Sequence, residues 1–400
     1  MNSRFTRIEQ KFLAISPMLT GFISFLSSLT MITMILKSKK KLTNSYRRFI
    51  FGLSWACAVF SFGNMFSTIP VYSSDIWGAM GTVEICEAQG FFVYVGLIST
   101  AIYNMSLCIL FVCTINFGVD RCTFAKKIEP FLHLFQFSFS LTWGIYLLNS
   151  DQINPGQDSL LCWIAPFPSG CHFNEDLDCI RGENAYAYRW YAIGIPVACA
   201  FSVIVISLFL ITRKVTKQQS INRKYRFGLR RSWRGSKDRN NQEIPRQKKL
   251  EKLQRIKKSR KELEKEKAVT EQAIVNILAF TLNWLFPFVN SLLEKRMSNG
   301  ISFYQRLLGR TLMSMQGLLN MLVYTRPHLI SLRSLHPEYS WLKAFIIVVK
   351  SGGDNDGNLP KKRRLSRISL NNIHSPRALG IKDSLSGTQE TEEIQKIENK

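Results

Sequence analysis

FFVYVGLISTAIYNMSLCILFVCTINF, residues 91–117, contains no charged side chain. As a helix rising about 1.5 Å per residue, it is longer than the roughly 30 Å hydrocarbon core of a bilayer. Six other apolar stretches are each about long enough to cross a bilayer: Leu13–Leu36, Phe49–Tyr72, Phe131–Leu148, Tyr188–Ile211, Ala273–Leu293 and Leu307–Tyr324. The shortest-looking of them, Phe131–Leu148, is interrupted by Ser138, Ser140 and Thr142. The expected fold is an all-α membrane protein, a seven-transmembrane helix bundle whose short connections make neighbours antiparallel.

Charge orients the bundle. The chain carries a net +25, unevenly spread. Arg213–Lys267 holds 22 Lys or Arg against 6 Asp or Glu, and Lys37–Arg48 has six cations and no acid. Asp151–Glu183 instead carries Asp151, Asp158, Glu175, Asp176, Asp178 and Glu183 against Arg181. Cations collect on the cytoplasmic side of spans. The N-terminus is therefore expected outside and the C-terminus in the cytosol, despite Arg4, Arg7 and Lys11. The basic loop sets topology and meets anionic lipids at the inner leaflet, so the high pI is no sign of nucleic-acid binding. The first span reads as an uncleaved signal anchor. Expected organisation is residues 1–12 outside, a seven-span domain over 13–330 with the basic loop at 213–267, an interfacial helix at 331–350, and a disordered cytoplasmic tail at 351–400. The expected location is the plasma membrane, multi-pass.

Cys57, Cys108, Cys113 and Cys199 fall in spans and Cys122 on the cytosolic side. Cys86, Cys162, Cys171 and Cys179 fall outside, where disulfides persist. Four cysteines allow three connectivities. We favour Cys86–Cys162, which ties the top of span three to the four-five loop, and Cys171–Cys179, which closes a small loop in the acidic segment.

Several motifs occur together: Cys86-Glu-Ala-Gln89-Gly-Phe91, Tyr103-Asn104-Met-Ser-Leu, Cys162-Trp163-Ile164, Gln316-Gly317-Leu-Leu-Asn320-Met-Leu-Val-Tyr324 and Tyr324-Thr-Arg326-Pro327. In order and position, over roughly residues 12–330, the chain resembles the cyclic-AMP-receptor-like (class E) and secretin-like branches of G-protein-coupled receptors. It is similar in particular to receptor-like proteins of diatoms and other protists. The resemblance implies a receptor that binds an unknown extracellular ligand and activates a heterotrimeric G protein through outward movement of span six. It also implies a disulfide between Cys86 and Cys162. The pattern departs from the family elsewhere. Asp120-Arg121-Cys122 resembles the Asp-Arg-Tyr switch, yet Arg121 lies 35 residues beyond Cys86. That is about 50 Å of helix, past the bilayer, so it reads as a loop coincidence. Met321 stands where an Asn-Pro-x-x-Tyr motif has its proline, and span two has no Asp.

Arg306 and Arg310 share one helix face in span seven, where Arg310 would meet an anionic ligand group or both would snorkel to the interface. Trp163 joins them as a candidate ligand contact. Asn104, Asn283, Gln316 and Asn320 are span-embedded amides that would form an interhelical network or serve as static packing glue. Trp284, Pro287 and Tyr324 complete the candidate switch residues; Pro287 and Pro196 each mark an expected kink. Arg246–Phe286 lacks Gly and Pro. As one helix it would run about 60 Å, projecting span six into the cytosol. Ser220–Asn241, with Gly228 and Gly235, reads as the mobile part of the loop. Arg326-Pro327 is expected to begin a helix along the inner membrane surface, with Trp341–Ile346 as a second interfacial anchor. Ser366 and Ser369 follow basic residues and suit a basophilic kinase.

No catalytic constellation, metal-ligand spacing or phosphate loop is visible, so the chain is read as a non-enzyme without a cofactor. The spans contain essentially no Asp or Glu of the kind coupled transport uses, and no internal repeat is evident. A retinal protein needs a lysine in the last span, and 301–324 has none. The rival readings are a non-coupling seven-span scaffold or a small-solute transporter or channel.

Overall fold

The computed structural model describes residues 5–39, 41–73, 76–156, 160–168, 171, 177–236, 271–272, 274–276, 278–285, 289 and 302–353, with the side chains of 215 and 218–236 excepted. Pro287, Ser366, Ser369, the tail beyond 353 and all of 237–270 lie outside the described residues.

Short polar residues start most helices by accepting a backbone N–H that has no partner inside the helix. Thr6 and Glu9 form a reciprocal capping box at the head of α1, Arg7–Lys37. The first helix therefore begins well before Leu13. Asn44 caps α2, Ser45–Met65, and Thr82 caps α3, Val83–Ile115. Asp120 caps the short α4, Arg121–Lys127, so Asp120-Arg121-Cys122 lies beyond α3, as its distance from Cys86 requires. Next comes α5, Glu129–Asn149, whose buried residues Glu129, Leu132, Gln136, Ser140, Gly144 and Leu147 form one helical stripe. An antiparallel hairpin follows, β1 (Ile153–Gly156) with β2 (Leu161–Ile164), pairing Ile153 with Ile164. This hairpin corrects the all-α expectation: the fold is mostly helical with one small sheet.

After α6 (Ala185–Arg189), a π turn at Trp190–Gly194 leads into α7, Ile195–Ser236. The helix thus continues through Ser220 to Ser236, where a mobile loop was expected. Propagation from an existing helix avoids the nucleation cost, and the Lys, Arg and Gln residues of this stretch are good helix formers despite Gly228. The last described elements are α8 (Ile274–Leu285), α9 (Phe303–Ser314), α10 (Gln316–Leu335) and α11 (Trp341–Lys350). Two expectations change here. The seventh apolar stretch is broken at Met315 instead of forming one helix. Arg326-Pro327 lies inside α10 and does not begin a new helix.

Among the described residues, four helices are long and apolar enough to cross a membrane: Arg7–Lys37, Val83–Ile115, Arg121–Asn149 and Ala185–Lys214. Of these, α3 is the most buried and α7 the least. Residues of α3 enter all three apolar clusters of the bundle. Close approach to α2 depends on Gly96, where a Cβ would lie 2.4 Å from the Phe60 nitrogen. Large apolar side chains such as Phe22, Leu26, Trp55, Phe131, Ile145 and Phe209 are exposed on the outside, a surface suited to lipid.

Pro196, in the first turn of α7, and Pro327, inside α10, cannot donate to the carbonyls four residues earlier, and in each case a neighbouring segment supplies a donor. Pro196 cannot donate to Ala192 O, and the Tyr94 hydroxyl of α3 donates to that carbonyl at 3.2 Å. Pro327 leaves Val323 O, which accepts from Gln272 Nε2 at 2.9 Å. Tyr94→Phe is expected to strand a buried carbonyl and destabilise the protein by about 1–3 kcal/mol. Thermal melting in detergent measures this, with exposed Ser138→Leu as an unaffected control.

Candidate functional site

The hairpin end of the bundle is assembled on the first turns of α3. Cys86, fully buried in α3, bonds to Cys162 of β2, with Cα atoms 5.3 Å apart. One turn further along, Gln89 accepts from the Cys162 N–H at 3.1 Å. Its Nε2 donates to Gly63 O at 3.1 Å and Ser67 O at 2.8 Å, at the end of α2. A single buried amide therefore joins α2, α3 and the hairpin. Gln89 appears in the motif around Cys86, but only its partners reveal this role. The available signal was its spacing: position i+3 from a disulfide cysteine lies on the same face.

Charge pairs hold the rest of the hairpin. Arg181 bridges Glu87 of α3 and Asp151, the latter at 2.8 Å. Arg189 donates to Ile164 O at 2.7 Å through Nη2. A second disulfide joins Cys171 to Cys179. Both disulfides match the favoured connectivity. Ile153, Leu160, Cys162 and Ile164 are buried in one apolar cluster with Cys86, Tyr94 and Leu147, so the hairpin caps that end of the bundle.

The candidate ligand residues are set apart on two sides. Trp163 packs against the central cluster that contains Trp284, Ala200 and Leu97. Arg306 and Arg310 lie on α9. The Arg306 guanidinium sits over the Phe5 ring, 5.6 Å from its centroid. Both terminal nitrogens of Arg310 are buried and have no hydrogen-bond partner among the described residues. Ser16 and Thr311, 2.6 Å apart through their hydroxyls, hold α9 against α1.

The four span-embedded amides are not joined to one another by hydrogen bonds among the described residues. Asn104 donates to Thr100 O of its own helix at 2.7 Å. Asn320 Nδ2 lies 3.2 Å from Cys57 Sγ. The Asn283 and Gln316 side chains are buried with no hydrogen-bond partner among the described residues. Trp284 packs at a tilt on Phe280, centroids 5.6 Å apart, and its Nε1 is buried without a hydrogen-bond partner among the described residues. The Tyr324 ring lies 5.7 Å from the His328 ring.

The α9–α10 break has its own support. Gly317 N, an N–H that a helix start leaves unpaired, donates to Ser24 Oγ at 2.8 Å. Ser61 of α2 also donates to Ser24 Oγ, at 2.9 Å. A Cβ at 317 would lie 2.3 Å from Ser28 Oγ, so the contact between α1 and α10 requires glycine. At the opposite end, Lys214 Nζ donates to Ile115 O and Asn116 O, at 2.5 and 3.0 Å. A cation there complements the end of the α3 dipole and ties α7 to α3. Arg48 of α2 pairs with both carboxylate oxygens of Glu129, and the buried Ala344 and Val348 seat α11 in the same end's apolar cluster. No cluster of His, Cys, Asp or Glu that would hold a metal occurs among the described residues.

Serine at Cys86 or Cys162 is expected to cost about 2–5 kcal/mol and reduce surface delivery, while Cys122→Ser is neutral. The double serine variant should be no worse than either single one. Surface labelling and melting of the four variants check this; equal delivery by all would contradict it.

No family model matches the chain, and no curated protein matches it. Among solved structures, the crystal structure of squid rhodopsin superposes with a TM-score of 0.52 at 15% identity, over 87% of this chain and 91% of that one. The helical bundle, its apolar outer surface and this likeness together describe a multi-pass membrane protein with a rhodopsin-like helical fold.

Proposed function

We propose that this protein is a seven-span receptor that senses an extracellular ligand and signals through a heterotrimeric G protein. The observation that carries this reading is the receptor-like fold, capped at one end by the disulfide-pinned hairpin and extended at the other by the basic helix α7. The motif resemblance supports the class E and secretin-like branch. The acidic hairpin end faces outside and the basic end faces the cytosol, in line with the distribution of cations. Seven spans require α2, α8 and the α9–α10 pair to cross as well. The plasma membrane is the proposed location, and inner-leaflet anionic lipids meet the basic segment. No lysine occurs between 303 and 335, so a retinal Schiff base is not part of the proposal.

On this reading, Arg310 meets an anionic group of the ligand. A buried guanidinium is costly without a counter-charge, and its fork geometry suits carboxylate or phosphate. Trp163, at the hairpin's inner face, lines the approach. Ligand binding would bias the helix break at Met315 and the packing of Trp284. The Lys214 tie between α3 and α7 would loosen as span six swings outward.

Energy transfer between the full chain and Gα in host membranes, across a ligand panel, tests the proposal. A ligand-dependent signal lost on deleting 237–267 supports it; silence with confirmed surface delivery favours a non-coupling scaffold or transporter. Arg310→Ala should shift the dose-response midpoint about 10- to 100-fold, the loss of a charged hydrogen bond of about 1.5–3 kcal/mol. An unchanged curve removes Arg310 from the pocket.

A further inference from the structure

Two phenols meet at the hairpin end of the bundle. Tyr146, in the last turn of α5, and Tyr188 of α6 lie 42 residues apart in the chain, and their hydroxyl oxygens are 2.7 Å apart. Their ring centroids are 5.4 Å apart and the rings meet edge to face. Trp143 packs beside both, its ring centroid 5.8 Å from that of Tyr146 and 6.5 Å from that of Tyr188.

Tyrosine and tryptophan collect at membrane–water interfaces, which accounts for these residue types at this depth. It does not account for the contact. Tyr146 is 45% exposed, and an interfacial hydroxyl is equally served by water. The pairing follows from how the two backbones are held. Trp143, Leu148 and Tyr188 pack on the buried cluster that contains Leu147 and Ile164. Arg189, next to Tyr188, donates to Ile164 O of β2. Packed neighbours on both helices therefore set the two phenols against each other.

Phenols in contact are joined by oxidation. A phenol that loses an electron and a proton becomes a phenoxyl radical, whose spin is shared with the ring carbons ortho to oxygen. Two such radicals couple through those carbons. Because the ortho carbons flank the hydroxyl, the touching oxygens of Tyr146 and Tyr188 bring them near one another. A coupling that otherwise waits on a chance encounter becomes an oriented intramolecular step. The same end of the bundle carries the disulfides Cys86–Cys162 and Cys171–Cys179, and such bonds persist on the oxidising side of a membrane.

We propose that Tyr146 and Tyr188 form an oxidative crosslinking site, joined as dityrosine by a haem peroxidase acting with hydrogen peroxide. Each phenol gives up its hydroxyl hydrogen, one electron with one proton. The radicals couple, and the two ortho hydrogens at the new carbon–carbon bond move to the oxygens and restore both hydroxyls. The two hydrogens removed reduce one hydrogen peroxide to two waters. The product fastens α5 to α6 around the hairpin and, unlike the disulfides, survives reducing agents. The inference depends on neither ligand sensing nor G-protein coupling.

The test treats the purified full chain in lipid nanodiscs with a haem peroxidase and hydrogen peroxide, then reduces, digests and maps linked peptides by mass. Expected are dityrosine fluorescence and one peptide pair joined at Tyr146 and Tyr188, lighter than its separate parts by the lost pair of hydrogens. Tyr146→Phe and Tyr188→Phe keep the ring but lack the phenol; each should abolish that pair, with melting confirming the fold. Tyr191→Phe, at an exposed position nearby, should leave it unchanged. N-acetyltyrosine in a parallel mixture verifies the oxidant. If it dimerises while Tyr146 and Tyr188 of the unmodified sequence stay unlinked, the proposal is overturned, and that comparison needs no variant. A linked pair that persists in Tyr146→Phe overturns it, as do links confined to other tyrosines or to separate molecules.

Discussion

A backbone carbonyl or N–H at bilayer depth has no water to pair with, and every departure from regular helix must be repaired by the protein itself. This constraint explains the polar side chains that the bundle buries. Tyr94 and Gln272 are tied to two prolines, each meeting the carbonyl that a proline releases. Ser24 meets the N–H exposed where α9 gives way to α10. These contacts are interhelical because the helix concerned has no spare group of its own. The repairs therefore double as tertiary fastenings: α3 to α7, the start of the sixth apolar segment to α10, and α1 to both α2 and α10.

Helix α3 is the axis on which these fastenings converge. It is apolar on every side, as a helix surrounded by others should be. Small residues on its faces let neighbours come close, Gly96 against Phe60 above all. Its first turns carry the disulfide and Gln89, and its last carbonyls receive Lys214. One helix thus links the hairpin end to the end from which α7 projects. A perturbation at Cys162 or Trp163 is mechanically continuous with the Lys214 contact, through packed side chains of the central cluster. Physical continuity permits coupling between the two ends; a change in their relative energies with ligand is what would establish it.

Polar groups within the bundle fall into two kinds. Gln89, Ser24 and the Arg48–Glu129 pair are satisfied and hold elements together. Arg310, Asn283, Gln316 and the Gln136 oxygen are buried with no hydrogen-bond partner among the described residues. Unpaired groups in apolar surroundings are costly, and they occur where a protein receives something or changes shape. That distinction separates scaffold from candidate site better than residue type does: Gln89 and Gln136 are the same amide on different helices, but only the Gln89 oxygen has a hydrogen-bond partner among the described residues.

Much of this was legible in the chain. Apolar length and cation placement required helices that cross a bilayer, because both depend on composition over windows of about 20 residues. The grouping of Cys86, Cys162, Cys171 and Cys179, apart from the other five cysteines, followed from the same windows, and these four form the two disulfides. The distance from Cys86 already placed Arg121 beyond α3. Tertiary structure decided what depends on a partner distant in sequence. Nothing local distinguishes Met315 as a break until Ser24 is there to receive Gly317 N. Pro327 looks like a boundary until Gln272 takes Val323 O and lets α10 continue. The helical run to Ser236 is an extension of a packed segment, which propensity for its own residues does not reveal. Sequence thus determined which segments are dry, since solvent preference is a property of each residue; tertiary structure decided where the helices break and which polar groups remain open, since hydrogen bonds belong to pairs.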